Sequence, residues 1–364
     1  MDTLSVRGHH LPLPAFLPDA TFGYVRSLVS ADLKSVGIDA VMMNAFHLMQ
    51  KPGSSVIQAL GGLHHMAGWS GLIMTDSGGF QAYSLIRQNA KFGSLGENGI
   101  IFRPEGSARK LLLTPEKSIQ LQFGYGSDIL ICLDDCTHVD ASFEEQKLSV
   151  KRTIQWAKRC KKVYENQLAT RKIKPEERPL LFGVIQGGGY PELRKECAQA
   201  LLELGFDGFG FGGWPLDDQS NLLTDILAYT REVVPAQFPI HALGIGHPVS
   251  VVVCYQMGYG MFDCAMPTRD ARHGRLYAMT GPNAMPSPKS DWFKFRYIVD
   301  EENIRKNEPI SPGCDCPCCR ELSLGYLYHL HKMQDSAYLR LATLHNLRFM
   351  TRLMESLRND AKRP

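Results

Sequence analysis

Four cysteines crowd into a short stretch of this chain: Cys314, Cys316, Cys318 and Cys319. Three thiolates and one imidazole are soft donors suited to tetrahedral Zn²⁺. Four protein ligands leave no coordination position open, so such an ion would be structural rather than catalytic. By spacing alone, Cys314 and Cys316 can be completed by either Cys318 or Cys319, and His329, His331 and His345 compete for the fourth position. The ion would tie the loop at about 300–320 to a later helix, and its binding energy, on the order of 10 kcal/mol, would become folding energy. The alternative is a chance cluster of unligated thiols.

A second set of residues could do different chemistry. Asp76, Asp134, Gln186, Gly213 and Asp263 each follow a short apolar run. Ala40 to Met43 leads to Asn44, Leu72 to Met74 to Thr75-Asp76-Ser77-Gly78-Gly79, and Ile129 to Leu133 to Asp134-Asp135. Leu180 to Ile185 leads to Gln186-Gly187-Gly188-Gly189, Phe209 to Phe211 to Gly212-Gly213, Ala242 to Ile245 to Gly246-His247, and Met261-Phe262 to Asp263. Any one of these polar residues is explained as a turn former. Five in the same position, after five apolar runs, point to a shared face.

Helices are expected between these runs. One starts with Thr114 as N-cap and Pro115 at the first helical position. Another covers about 143–168, with Val150, Ile154, Ala157, Cys160 and Tyr164 along one stripe. A third runs from Pro191 to Leu204 and stops at Gly205. Apolar strands alternating with helices indicate a parallel sheet covered by helices. Six or seven such units in 364 residues favour an α/β chain folded as a (β/α)8 TIM barrel. In that architecture the C-terminal strand ends collect the active site, and Asp76, Asp134, Gln186, Gly213 and Asp263 all fall there.

Composition narrows the setting. Hydrophobic residues make up 44% and charged residues 21%, and the net charge of +3 does not by itself call for a polyanionic partner. Nucleic-acid contact therefore has to come from local clusters of Lys and Arg. No apolar run approaches the roughly 20 residues of a membrane helix, and the first residues lack a signal-peptide core. The expected compartment is the reducing cytoplasm. There Cys132, Cys136, Cys160, Cys197, Cys254 and Cys264 read as small apolar residues and the packed cysteines as metal ligands.

Several segments resemble tRNA-guanine transglycosylases of the bacterial type. Thr75-Asp76-Ser77-Gly78-Gly79-Phe80-Gln81 is similar to the family signature after the second barrel strand, and Phe262-Asp263-Cys264-Ala265-Met266-Pro267-Thr268-Arg269 to its nucleophile segment. Leu133-Asp134-Asp135-Cys136-Thr137, Phe182-Gly183-Val184-Ile185-Gln186-Gly187 and Asp207-Gly208-Phe209-Gly210-Phe211-Gly212-Gly213 match in the same order. So do Pro14-Ala15-Phe16-Leu17-Pro18 and Asn44-Ala45-Phe46-His47-Leu48 near the start. The ordered set spans nearly the whole chain.

The resemblance implies exchange of the guanine at the anticodon wobble position of tRNA for a 7-deazaguanine, preQ1 or a related base. A glycosidic bond is broken and remade on the same face through two displacements. Asp263 is then the nucleophile and Asp76 the general acid/base. Asp134, Gln186 and the N–H of Gly213 read the base edge, with Ser77, Gly78 and Gly79 beside it, and Phe80 and Leu243 sandwich the ring. Asp135 is expected to be a bystander. Thr268, Arg269 and Arg272 contact the tRNA, with His273 and Arg275 beyond; the basic tail (Arg348, Arg352, Arg358, Lys362, Arg363) reads as a solvated helix face. The family spacing selects Cys314, Cys316, Cys319 and His345 as ligands of one structural Zn²⁺ per chain.

The implied layout is a catalytic barrel over 1–300, a zinc-binding subdomain over 301–346 inserted near the last βα unit, and a C-terminal helix over 347–364 packed on the barrel. Similar enzymes are homodimers, and Tyr326 and His329 match positions used in the contact. The chain departs from the family at Trp214-Pro215-Leu216-Asp217-Asp218, where a small flexible pair and a Gly-Glu are usual; Phe80 replaces a commoner Tyr. Two alternatives are a transglycosylase acting on DNA and a non-catalytic RNA-binding partner subunit, which would be expected to lack the two aspartates.

Overall fold

The computed structural model describes residues 2–103, 110–138, 140–281 and 284–360; Lys362 and Arg363 of the basic tail lie outside them. Eight strands form one parallel sheet: β1 (Ala15–Pro18), β2 (Ala40–Asn44), β3 (Leu72–Asp76), β4 (Ile129–Ile131), β5 (Leu180–Ile185), β6 (Gly208–Phe211), β7 (Ile240–Ala242) and β8 (Met261–Cys264). Each strand pairs with its neighbours in chain order, and β8 pairs with β1, Asp263 lying opposite Leu17. The ring is completed between β1 and β2 by a parallel bridge from Asp19 to Met42, with the Ala20 N–H donating to the Met42 carbonyl at 2.7 Å. The expected (β/α)8 barrel is the fold of the chain.

The strands are nearly continuous apolar runs because both faces are buried, and alternation sorts the side chains. Leu17, Met42, Leu72, Met74, Ile129, Ile131, Phe182, Val184 and Met261 pack together inside the barrel. Their neighbours Val41, Met43, Ile73, Leu130, Leu181, Ile185, Phe209, Phe211, Ile240 and Phe262 belong to the larger core under the helices. On β6 the inward positions are glycines, and a Cβ on Gly208 would lie 2.4 Å from the Phe182 ring. Glycine there lets that ring fill the barrel. A hairpin of Thr3–Val6 with His9–Pro12 adds Leu4, Val6 and Leu11 to the interior cluster.

The three expected helices are present. Thr114 caps Pro115–Tyr125 by accepting the Lys117 N–H at 3.1 Å. Ser142 and Glu145 form a capping box at the start of Phe143–Thr170, whose buried stripe holds Val150, Ala157, Cys160 and Tyr164. Pro191–Leu204 ends at Gly205 with φ 74°. Two differences stand out. The run at 242–245 is not a strand: β7 stops at Ala242, and the chain turns through Gly244 at φ 75°. Between β3 and β4 lies a three-stranded antiparallel sheet of Gly93–Gly96, Gly99–Phe102 and Leu111–Leu113 that the sequence reading did not assign.

After β8 come the helix Met266–Arg272, an antiparallel pair Arg275–Met279 with Phe293–Tyr297, two short helices (Pro317–Glu321 and Leu324–Lys332), and the unbroken helix Ser336–Asp360. Asn346 ties that last helix to the barrel: its side chain accepts the Tyr277 N–H at 3.0 Å and donates to the Pro267 carbonyl at 3.0 Å. Among the described residues, no helix is long and apolar enough to cross a membrane.

Candidate active site

The same alternation that fills the barrel brings polar residues to its mouth. Inward positions run Met42 then Asn44 on β2, Met74 then Asp76 on β3, Val184 then Gln186 after β5, and Met261 then Asp263 on β8. In each case the polar side chain is one step beyond the last apolar inward residue, where the interior meets solvent.

Asp76 is held on both oxygens. The Asn44 amide donates to Oδ2 at 3.0 Å, and the Gly78 N–H approaches Oδ1 at 3.3 Å. Asn44 stands directly opposite Asp76 in the strand register. Gly78 has φ 87°, and a Cβ there would strike the Phe46 Cβ at 2.2 Å, so the tight turn after β3 requires glycine. Burial pushes the Asp76 carboxyl above its ordinary range; the Asp263 charge adds to this, while bonds from Gly78, Gln81 and Ser77 oppose it. The Ser77 side chain is buried, its Oγ accepting the Gly79 N–H at 3.3 Å, so it braces the turn.

Asp134 and Gln186 form the second unit. The Gln186 amide donates to Asp134 Oδ2 at 2.7 Å, and both side chains are buried. Among the described residues Gln186 Oε1 has no partner. A buried polar atom left open is costly unless something binds there. Asp134 is pushed up to about 7, chiefly by burial, with the Gln186 bond opposing and the charges of Asp76 and Asp135 adding. Gly213, at φ 88°, lies beside this pair: a Cβ on it would be 3.5 Å from Gln186 Oε1. Phe80 is exposed at the rim and its ring centroid is 5.5 Å from that of Trp214, which in turn is 5.2 Å from the His138 ring. Leu243 is half-buried and packs onto the interior cluster. Asp135 points away from the mouth, paired with Arg152 on the helix Phe143–Thr170.

Asp263 is partly open, with 18% of its side chain exposed. Its Oδ1 accepts the Gly244 N–H at 2.9 Å and lies 2.9 Å from Nε2 of His241. Among the described residues Oδ2 has no hydrogen-bond partner. Arg269 is exposed one turn along the following helix, whereas Arg272 is half-buried and donates to the Thr268 carbonyl at 2.8 Å. The Thr268 hydroxyl is buried and donates to the Ala265 carbonyl at 3.1 Å, so it is used within the helix. Burial and the neighbouring charge of Arg26 lower the Arg272 pKa. Arg26 and Arg269 thus lie close enough to Arg272 to act on its charge, and the three form a cationic cluster at the helix that follows β8.

Three participants were missed by the sequence reading. Arg26 is exposed and far from Asp263 in sequence. Arg194 is buried on the helix Pro191–Leu204, donates to the carbonyls of Ile185 at 2.7 Å and Gly188 at 2.9 Å, and stacks on Phe211 at 4.1 Å. It braces the loop that carries Gln186. A signal was available, because Arg194 interrupts the apolar stripe of Leu193, Cys197, Ala198 and Leu201. His241 likewise sits in an otherwise apolar strand.

Away from the mouth, the ligand atoms of Cys314, Cys316, Cys319 and His345 all lie within 4.8 Å of one another. The three Sγ atoms are 3.7, 3.6 and 3.3 Å from His345 Nδ1. A tetrahedral ion with zinc-like bond lengths would set sulfur–nitrogen edges of about 3.5 Å, so the four residues fit such a metal. His345 Nε2 donates to the Tyr277 carbonyl at 2.6 Å, which orients the ring and leaves Nδ1 for the ion. Among the described residues, Cys318 is buried but not part of this group, and His329 and His331 are not part of it either.

The comparisons with known proteins bear on this geometry. The family profile described as queuine tRNA-ribosyltransferase matches residues 1–363. A queuine tRNA-ribosyltransferase of Psychrobacter sp. (strain PRwf-1) is 36% identical over 357 residues, covering 98% of this chain and 88% of that protein. Proteins of the same description from Pseudoalteromonas translucida (strain TAC 125) and Lysinibacillus sphaericus (strain C3-41) are 38% and 36% identical over 346 residues each. They cover 95% of this chain and 85% and 84% of their own lengths. A whole-chain match of this kind, on a barrel whose mouth holds the family's signature segments, has one reading: the chain belongs to the queuine tRNA-ribosyltransferase family.

Proposed function

We propose that this protein exchanges the wobble guanine of a tRNA anticodon for a 7-deazaguanine, by double displacement at C1′ of the target nucleotide. The observation that carries the reading is the division of labour at the mouth. One carboxylate keeps a free oxygen, a second is raised in pKa, and a buried acid–amide pair presents an open acceptor.

Asp263 Oδ2 attacks C1′, forming a C1′–O bond as the bond to the base nitrogen breaks. Asp76, whose raised pKa suits a proton carrier, gives its proton to the departing base. It then takes one from the incoming base, whose nitrogen attacks C1′ and releases Asp263 as a carboxylate. Asp134 accepts from the base's N1–H and amino group, while the Gln186 amide and the Gly213 N–H serve the edge beside them. Phe80 and Leu243 cover the ring faces. Arg269 and Arg272, with Arg26, take the phosphates next to the target. Cys314, Cys316, Cys319 and His345 would hold one structural Zn²⁺, whose role is to lock the C-terminal segment against the barrel.

The incoming base is preQ1 or a close relative. Pro215 fixes φ in the loop after Gly213, and Asp217 pins that loop by accepting the backbone N–H groups of Gln219 at 2.9 Å and Asn221 at 2.7 Å. A pinned loop with the bulky Leu216 favours a small substituent on the base. The protein works in the cytoplasm, where its cysteines stay reduced. It acts as a homodimer through the C-terminal region, where Tyr326 and Met333 are exposed apolar side chains.

The test is base exchange. Labelled guanine should enter a tRNA anticodon and not duplex DNA, and preQ1 should displace it more readily than the full queuine base. Exchange into DNA alone would overturn the assignment; preference for queuine would overturn only the choice of base.

A further inference from the structure

His241 is the middle residue of β7 and points into the barrel, paired in register with Met261 and Gly210. Its side chain is fully buried. The inward residues around it, Met261, Val184 and Leu243, are apolar. A neutral imidazole has one N–H to donate and one nitrogen to accept with. Placing it in an apolar interior is unfavourable unless a partner compensates. Among the described residues Nδ1 has no partner, and the polar group near Nε2 is the Asp263 carboxylate, 2.9 Å away at Oδ1. The ring is within reach of that oxygen yet not aligned for a full hydrogen bond. Bonds of this kind commonly tighten only when substrate is bound.

We propose that His241 is a positioning residue for the nucleophile, acting through Oδ1 of Asp263; this rests on the reading of Asp263 given above. His241 Nε2–H and the Gly244 N–H approach the same oxygen from below and from the turn after β7. Gly244 holds Oδ1, His241 adds a second donor to it as the contact tightens, and Oδ2 is left without a hydrogen-bond partner among the described residues. When Oδ2 bonds to C1′, Oδ1 becomes the carbonyl oxygen of the ester. In the second displacement the C1′–O bond breaks, its electron pair returns to the carboxylate, and the two donors stabilise the returning charge. The contrast with Asp76 supports the assignment, because there both oxygens carry donors and neither is reserved for attack.

The experiment compares wild type with His241→Phe, which keeps a ring without a donor, and His241→Gln, which restores a donor. Guanine exchange into tRNA and guanine affinity are measured, and thermal melting confirms folding. The Phe variant should lose about 100-fold in kcat while KM for tRNA and guanine affinity stay within about twofold. The Gln variant should regain roughly tenfold of that loss. A folded Phe variant with unchanged kcat, or a Gln variant as slow as Phe, overturns the proposal. A second readout does not need the reaction. In ¹⁵N-histidine spectra of wild type saturated with tRNA, the His241 Nε2–H should give a downfield, slowly exchanging signal that Asp263→Ala abolishes and Asp76→Ala leaves in place. If the Phe variant does not fold, this signal decides: dependence on Asp263 sustains the contact, and independence overturns it. If wild type exchanges no guanine yet the signal depends on Asp263, the function fails and the contact stands.

Discussion

The barrel mouth and the cysteine cluster are both buried polar constellations built from residues distant in sequence, and they are completed in opposite ways. At the cluster, three sulfurs and Nδ1 converge on one point, and Nε2 of the same histidine is bonded to Tyr277. Four soft donors facing one point leave no coordination position open on a tetrahedral ion, which suits a structural metal. At the mouth, Gln186 Oε1 has no partner among the described residues and Asp134 is held at an unfavourable protonation balance. At the mouth a buried acceptor is left for something outside the chain to complete, whereas the cluster's four donors already face one another.

The largest effect that would break this contrast is at Asp263. Asp263→Asn should fold, yet lower exchange by about 10⁴-fold or more, as removal of a nucleophile does. The denaturant-resistant protein–RNA adduct should vanish with it; an adduct that persists on gels would remove Asp263 from its role. Next comes the staple. Wild type should carry about one Zn²⁺ per chain by metal analysis, and Cys316→Ala should lose it and aggregate or melt early, since ligation of this kind contributes on the order of 10 kcal/mol. Cys318→Ala should keep the ion. Retained metal in the Cys316 variant would show that the ligand set is wrong.

Asp134→Asn sharpens the comparison. The folded carboxyl is raised to about 7 from an ordinary value of 3.8. Below pH 4 the group is protonated in both states and costs nothing. Between 4 and 7 the unfolded chain ionises first, so stability declines as pH rises, and the full penalty is present above pH 7. The Asn variant should therefore melt higher than wild type at pH 8 while binding guanine about 10- to 100-fold more weakly, from loss of the charged acceptor. Guanine affinity of the wild type should increase as pH rises through 7. A variant destabilised at pH 8 would contradict the burial argument. The smallest effect is expected at Arg269→Ala: a few-fold weaker tRNA binding, with the salt dependence of log affinity shallower by about one. An unchanged salt slope would take Arg269 out of the phosphate contacts.

Much of the barrel was legible because strands buried on both faces are spelled as unbroken apolar runs, and helices here carry strong local stops such as Thr114-Pro115 and Gly205. What escaped were elements with weak local spelling. β1 is four residues that follow Pro14 and end on Pro18, the hairpin of Thr3–Val6 with His9–Pro12 alternates over only four residues per strand, and the sheet at 93–113 has short strands. The turn after β7 was read as strand because Leu243 and Ile245 are apolar; Gly244 bends the chain there to reach Asp263. At the site, Asp76, Asp134, Gln186 and Asp263 were found because each follows a short apolar run. Asn44 was seen only as a turn residue, and Arg194 and His241 were passed over, because their importance lies in what they touch: Asp76, the Gln186 loop and Asp263.

By itself the sequence determined the barrel class, the residue types at the mouths of the strands and the presence of a thiolate-rich cluster suited to a metal, since each is written in local pattern and spacing. Only the tertiary structure decided which thiols converge with which histidine, which oxygen of each aspartate is free, and which buried groups stand behind them. Those are questions of direction and partnership across the barrel. Hydrogen bonds and charge coupling act over a few ångströms in space, and separation along the chain carries no record of them.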